Sequence, residues 1–482
     1  MASKREYVDF KLYLTGAPEA ACQVALLPTP EVGETVLPVT VPAEKAPDAT
    51  ELAYLEGKSI TVGNLAKLGR KLADCLLPEG TIRNLFQQAY NEASNRDAGV
   101  RLRLVIADYD LKQWPWEFVY YEPPGQLDPM AGFLALDGRI SIVRHEPLPR
   151  PHPSAGQALG DLSKVKMLVA AASPDASELK LQPLNVDTEV DTIIDAVAGF
   201  DLEGVQMAAE PLRNVYREQL HQALLGKPHI FHFAGHGYVD FVRDDLKHDP
   251  AKEDVFLLLS RESAADKADL LTGADLVPWL QAGNVRLAIL GACYSGKRSE
   301  RYPWDGMAGA LVGGGVPAVI TMQHEVIDTH AAAFSRAFYG ALGLGLSLDE
   351  AMWSGRMAMR EVTSGEKEQK INVEWGVPVL YSRLSDGALF PERMARATES
   401  AEVFRKVFRQ TVTEAQKGNL IGVKVNFVKN GVHIIQKVKE ATGDVTGIKA
   451  GTAGAGANIL VEQEFEVIGE GATVIGGEWD EL

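Results

Sequence analysis

From residue 165 to residue 381 the chain keeps one rhythm: a short apolar run with the character of a buried strand, then a longer stretch whose apolar residues recur at helical spacing. The strand-like runs are 165–171, near Val205, 229–233, 255–259, 285–290 and 316–321. The helical stretches are 185–198, 212–225, 272–281 and those starting at Asp305, Asp328 and Leu348. Parallel strands need a crossover connection, and a helix is the usual one. The alternation therefore predicts an α/β fold, a mostly parallel sheet with helices on both faces. In such sheets reactive groups gather at the carboxyl ends of the strands.

The 482 residues leave room for about three domains of ordinary size, and the texture changes on either side of this segment. Residues 1–150 read as an N-terminal α+β supporting region, with a strand at 8–14, helices at 62–77 and 81–93, a strand at 101–107 and an aromatic run at 114–121 that belongs in a core. A Pro-rich linker at 147–153 leads into the strand–helix domain, 151–395. Residues 396–482 form a third region, a helix over 401–415 followed by a small Gly/Val-rich β tail. In the tail, Gly418-Asn-Leu-Ile-Gly-Val-Lys424 is echoed 25 residues later by Gly443-Asp-Val-Thr-Gly-Ile-Lys449, with Gly471-Ala-Thr-Val-Ile-Gly476 as a degraded third copy. A repetitive β element and a plain meander both fit this pattern. The tail carries no obvious chemistry and is assigned to regulation or partner contact.

Charge and cysteine usage exclude several classes. A formal charge of -17 argues against nucleic acid as a direct partner, since phosphate neutralisation requires clustered Lys and Arg. Cys22, Cys75 and Cys293 show no CxxC spacing, so neither a disulfide framework nor a thiolate zinc site is written, and a reducing cytoplasm is expected. The start, MASKREYVDF, is polar where a signal peptide needs an apolar stretch. The uncharged stretch 306–323 contains a Gly-Gly-Gly run and Pro317, which reads as core and not as a membrane span.

Two segments place chemistry at strand ends. In His229-Ile-Phe-His-Phe-Ala-Gly-His-Gly237, alternation sends His229 and His232 to opposite faces, so the histidines do not readily converge on one metal. His236 is expected in a Gly-His-Gly turn beyond the strand, where a general base would stand. A hydrogen-bonded structural histidine is the other reading. In Leu287-Ala-Ile-Leu-Gly-Ala-Cys-Tyr-Ser-Gly296, Cys293 follows an apolar strand in the same topological place. Free cysteine is usually packing. A thiol beside an imidazole, however, can be deprotonated as it attacks a carbonyl, with backbone N–H groups holding the oxyanion. Gly291 to Lys297 also matches GxxxxGK, but Arg298 stands where a phosphate loop needs Ser or Thr for Mg²⁺.

These residues resemble the CHAT-domain peptidases, caspase-like cysteine peptidases that are bacterial relatives of caspases and separases. The resemblance rests on His232-Phe-Ala-Gly-His-Gly237, Leu287-Ala-Ile-Leu-Gly-Ala-Cys293, Gly313-Gly-Gly-Val-Pro-Ala-Val319, Phe338-Tyr-Gly-Ala-Leu342, Gly345-Leu-Ser-Leu-Asp-Glu-Ala351, Trp375-Gly-Val-Pro-Val-Leu-Tyr381 and Trp116-Glu-Phe-Val-Tyr120. It implies a caspase-like sheet over 151–395 with a pseudo-peptidase-like region before it. It also implies His236 as catalytic histidine, Cys293 as nucleophile, and the N–H groups of Gly237 and Cys293 as oxyanion donors. His236 and Cys293 stand 57 positions apart, similar to the about 50 of caspases. The caspase signature is met only in part, with Gly291 in place of Gln and Gly296 one position late. The expected activity is that of a cysteine endopeptidase, without metal or cofactor, acting on a protein substrate, with proteins encoded nearby as candidates, as a regulated effector in bacterial defence or cell death. A regulatory partner on the N-terminal region or the tail is expected, and no membrane. Asp240 and Asp328 are candidates to select a basic residue at the cleavage position. A catalytically silent CHAT-fold interaction module and a P-loop-like nucleotide-binding protein are the alternatives.

Overall fold

The computed structural model describes residues 5–29, 36–56, 60–121, 130–146, 164–177, 184–198, 201–202, 205–239, 255–262, 264–293, 304–324, 328–362, 372–385, the six C-terminal strands bounded below and a few single positions between these stretches. The chain divides into two compact units, Arg5–Glu392 and a C-terminal unit within Arg393–Leu482.

The first unit opens with three antiparallel strands, β1 (Tyr7–Thr15), β2 (Ala20–Leu27) and β3 (Val36–Pro42), and continues with helices α1 (Ala49–Glu56), α2 (Val62–Leu76) and α3 (Thr81–Asn95). Thr61 caps α2, its hydroxyl accepting from the Asn64 N–H at 3.3 Å. The Leu65, Leu68, Leu72 and Leu76 stripe is buried. Next come β4 (Gly99–Ile106), the single turn α4 (Tyr109–Lys112) and β5 (Ile140–Arg144), with β4 parallel to both β1 and β5. The aromatic run is core, as expected: Trp116 and Phe118 are fully buried, and the Phe118 ring lies 4.9 Å from that of Trp375.

The alternating segment yields β6 (Lys164–Ala172), α5 (Val186–Ala198), β7 (Asp201–Leu202), β8 (Val205–Arg213), α6 (Arg217–Leu224), β9 (Ile230–Val239), β10 (Val255–Arg261), β11 (Ala264–Thr272) and α7 (Gly273–Ala282). It ends with β12 (Leu287–Cys293), α8 (Trp304–Gly313), β13 (Ala318–Met322), α9 (Asp328–Gly343), α10 (Leu348–Glu361) and β14 (Pro378–Ser382). All of these strands join one 14-stranded sheet in the order β3-β2-β1-β4-β5-β14-β13-β12-β9-β6-β8-β7, with the β10–β11 hairpin attached to β9. The sheet holds two parallel blocks, β1-β4-β5-β14 and β13-β12-β9-β6-β8, which meet at the antiparallel pair β13–β14. Strands from before and after residue 150 share this sheet, so the boundary read there does not separate compact units.

Pleat alternation fills a core on each face. Strand β6 sends Val165, Met167, Val169 and Ala171 to one side, where α5 and α9 contribute Ile193, Val197, Phe334 and Phe338. Leu168, Ala170 and Ala172 go to the other, where α6, α7 and α8 contribute Leu220, Leu276, Leu280 and Leu311. Each fully buried aliphatic side chain of this kind contributes about 1.5–3 kcal/mol.

Three expectations are corrected. Helix α6 starts at Arg217 and not at 212, because β8 stays paired with β6 through Arg213 and Asn214, at φ 51, turns the chain out of it. Strand β11 was not foreseen: its Ala- and Asp-rich run shows no alternation, and its pairing with β10 makes it a strand. Within the stretch read as a helix over 401–415, Val407–Val412 is strand β15.

That strand belongs to the C-terminal unit, with β16 (Leu420–Val428), β17 (Gly431–Ala441), β18 (Val445–Ala453), β19 (Asn458–Ile468) and β20 (Val474–Glu481). Successive strands alternate between two three-stranded parallel sheets, β15-β17-β19 and β16-β18-β20. A meander would be antiparallel. The parallel pairing is that of a repeated β coil, and the echoed segments align as Leu420, Val445 and Val474.

Candidate active site

Strand β9 lies between β6 and β12, parallel to both. Its register with β6 runs from Ile230 opposite Met167 to Gly235 opposite Ala172, and with β12 from Ile230 opposite Leu287 to His236 opposite Cys293. The backbone therefore sets His236 and Cys293 side by side, Cys293 as the last residue of β12 and His236 within β9 before its final residues 237–239, with the two strands about 4.8 Å apart across the sheet. The Cys293 side chain lies outside what the structure describes.

The expected Gly-His-Gly turn is absent. Strand β9 outruns both parallel neighbours, and Gly237, Tyr238 and Val239 pair antiparallel with Leu257, Phe256 and Val255 of β10. His236 is consequently a strand residue, 1% exposed. Gly235 earns its place by closeness and not by a turn: a Cβ there would lie 2.6 Å from the Ala172 carbonyl oxygen and 2.9 Å from the Phe233 ring.

Two pleat repeats earlier in β9 lies a group that sequence reasoning missed. His232 is 1% exposed, with Nδ1 2.6 Å from the Tyr339 hydroxyl of α9 and Nε2 3.2 Å from Glu189 Oε1 of α5. Burial, and then the Glu189 carboxylate, push the Tyr339 hydroxyl well above its ordinary value, so it stays protonated. The hydroxyl therefore donates to Nδ1, and Nε2–H donates to Glu189, which fixes the His232 tautomer. His232 and His236 share a face of β9, being four residues apart. Gly291 of β12 makes room for the pair: a Cβ there would meet Glu189 Oε1 at 3.0 Å and His232 Nε2 at 3.1 Å. A His four residues before the candidate base is the available signal, and in the sequence it reads as a poor metal ligand and as part of the family motif, with no role of its own.

His229 stands apart. Its Nδ1 accepts from the Lys166 N–H at 3.0 Å, and burial, Arg286 and Lys166 hold the imidazole below its usual value. Asp328 is the first residue of α9, but its side chain is outside the described set, as are Asp240, Lys297 and Arg298. Among the described residues no group of three or more His, Cys, Asp or Glu could hold a metal ion. No helix among them is long and apolar enough to cross a membrane.

Solved structures with similarity to the chain include the Arg-specific cysteine proteinase gingipain R, at 12% identity and TM-score 0.36, covering 64% of this chain and 68% of that one. The pro- and mature domains of Porphyromonas gingivalis RgpB match at 11% identity and TM-score 0.35, covering 64% and 69%. The Saccharomyces cerevisiae separase–securin complex matches at 14% identity and TM-score 0.29, covering 66% of this chain and 20% of that one. These likenesses are too distant to bear on activity. No curated protein sequence matches the chain. The CHAT domain family model matches residues 66–396, more than half of the length. A mostly parallel sheet in two blocks, the paired His and Cys strand ends and this match over both blocks agree, and the chain belongs to the CHAT domain family.

Proposed function

We propose that the chain is a cysteine endopeptidase in which His236 is the general base and Cys293 the nucleophile. The observation that carries this reading is the register, His236 of β9 opposite Cys293 at the end of β12. As the Cys293 sulfur bonds to the scissile carbonyl carbon, its proton passes to the His236 imidazole and the carbonyl π pair moves to oxygen. Backbone N–H groups of Gly237 and Cys293 hold that oxyanion, each such donor being worth about 10²–10³ in rate. Collapse expels the amine, which takes the proton back from His236. Water, deprotonated by His236, then hydrolyses the thioester. No cofactor enters these steps.

The substrate is a protein, with proteins encoded nearby as the first candidates, and CHAT membership supports a regulated effector role in bacterial defence or cell death. The charge of -17 favours a basic residue at the cleavage position, with Asp240 and Asp328 as its candidate partners. Profiling with peptides varied at that position will show Arg or Lys preferred; a preference for apolar or acidic residues contradicts the assignment. The burial of His236 favours a second reading, a catalytically silent interaction module of the same fold. Incubation with candidate partner proteins and sequencing of new termini separates the two. Cleavage that is lost in Cys293→Ala, with the fold intact by circular dichroism, supports the peptidase; the same cleavage in Cys293→Ala, or none with any partner, supports the silent module.

A further inference from the structure

Among the described residues, the two sheets of the C-terminal unit end in β15 and β16 on one side and in β19 and β20 on the other. Among the described residues nothing pairs with the outer sides of β15 and β16 at one end, or of β19 and β20 at the other. Unpaired strand edges are templates for another strand, and stacked repeat units ordinarily need caps. The two ends carry opposite charge. The charged residues of β15 and β16 are Arg409 and Lys424. Those of β19 and β20 are Glu462, Glu464, Glu466, Glu478, Asp480 and Glu481, with no Lys or Arg.

The register adds a second, independent match. Position 410 stands opposite 436, and 436 opposite 463, and all three are Gln, a register column of identical residues of the kind that favours further in-register stacking. The neighbouring columns run Arg409–Ile435–Glu462 and Lys424–Lys449–Glu478. Continuing the stack by one coil, from the acidic end onto a basic end, would set Arg409 opposite Glu462, Gln410 opposite Gln463 and Lys424 opposite Glu478. Joining acidic end to acidic end would oppose like charges.

We infer that the tail is a homotypic stacking module: the β15/β16 edge of one copy adds in parallel to the β19/β20 edge of a second copy of this chain. The contact is heterologous and leaves a free edge at each end, so it propagates. This inference is independent of the His236–Cys293 assignment.

Sedimentation velocity on the full chain tests it. The wild type should form assemblies that grow with concentration and shrink with added salt. Arg409→Glu with Lys424→Glu, and separately Glu462→Lys with Glu478→Lys, should each weaken self-assembly at least about tenfold, since each change converts opposed charges into like ones at two positions. An equimolar mixture of the two variants should regain assembly, because the Glu edge of one then meets the Lys edge of the other. Circular dichroism checks that each variant keeps its β content, and if either does not, the milder Arg409→Gln with Lys424→Gln should still weaken assembly of the folded chain. A wild type that stays monomeric at all concentrations overturns the inference. So do folded variants that assemble as the wild type does, or a mixture of folded variants that fails to reassemble.

Discussion

A buried imidazole with a partner on each nitrogen has one tautomer and one orientation, and His232 holds both through Tyr339 and Glu189. Tyr339→Phe leaves Nδ1 buried without its donor and should cost about 1–3 kcal/mol in denaturant unfolding. If His232 also holds the β9 end in place for chemistry, Tyr339→Phe and Gly291→Ala should lower kcat with KM little changed; unchanged kcat in a folded variant would confine the trio to a structural role. The register of His236 beside Cys293 is legible in part, because each follows an apolar run beside small residues, a local signal. The trio was not, since Glu189 and Tyr339 stand 43 and 107 positions from His232 and meet it only once α5 and α9 settle on one face of the sheet. Asp349 shows the same limit: it reads as an ordinary helix-start acid, yet Arg101 grips it at 2.9 and 2.6 Å in the core.

At the scale of elements, periodicity locates the strands of the second parallel block, and β1 and β4 but not the short β5 and β14 of the first, because the faces of those strands are buried by fixed neighbours and the pleat period shows through. It failed where pairing and not pattern makes the element, as in β11, in β15 and in the last three residues of β9. The extension of β9 by β10 changes the site most, converting an expected turn around His236 into strand. Gly235→Ala tests how closely β9 and β6 must approach beneath it. The added carbon meets the Ala172 carbonyl oxygen, which is backbone, as well as the Phe233 ring, so thermal or chemical denaturation should show a loss of about 1–3 kcal/mol. Unchanged stability would mean that the strands separate without cost.

Across the molecule, the first block of the sheet is tied to its covering helix by buried charge. Arg101 of β4 reaches Asp349 of α10 and, at 2.9 Å, Asp9 of β1. Burial works against ionisation of Asp349, but the Arg101 guanidinium outweighs it and holds the carboxyl below its usual value. A carboxyl lowered by folding contributes stability that is complete above its unfolded value, about 3.9, and is shed as pH falls through the lower folded value. Asp349→Asn should therefore cost about 3–5 kcal/mol at neutral pH, by leaving Arg101 short of a partner, and should flatten the loss of stability below about pH 4. Equal acid sensitivity in the variant would assign that loss to other carboxyls. The proposed His236–Cys293 pair of the second block makes a stricter demand, since the proposal requires one imidazole to activate one particular sulfur. Reaction of the full chain with a peptidyl acyloxymethyl ketone, the adducts located by mass spectrometry, measures this directly. The account predicts an adduct on Cys293, none on the fully buried Cys22 and Cys75, and a rate at least about 100-fold slower in His236→Ala. An unmodified Cys293, or one modified equally fast without His236, would contradict it.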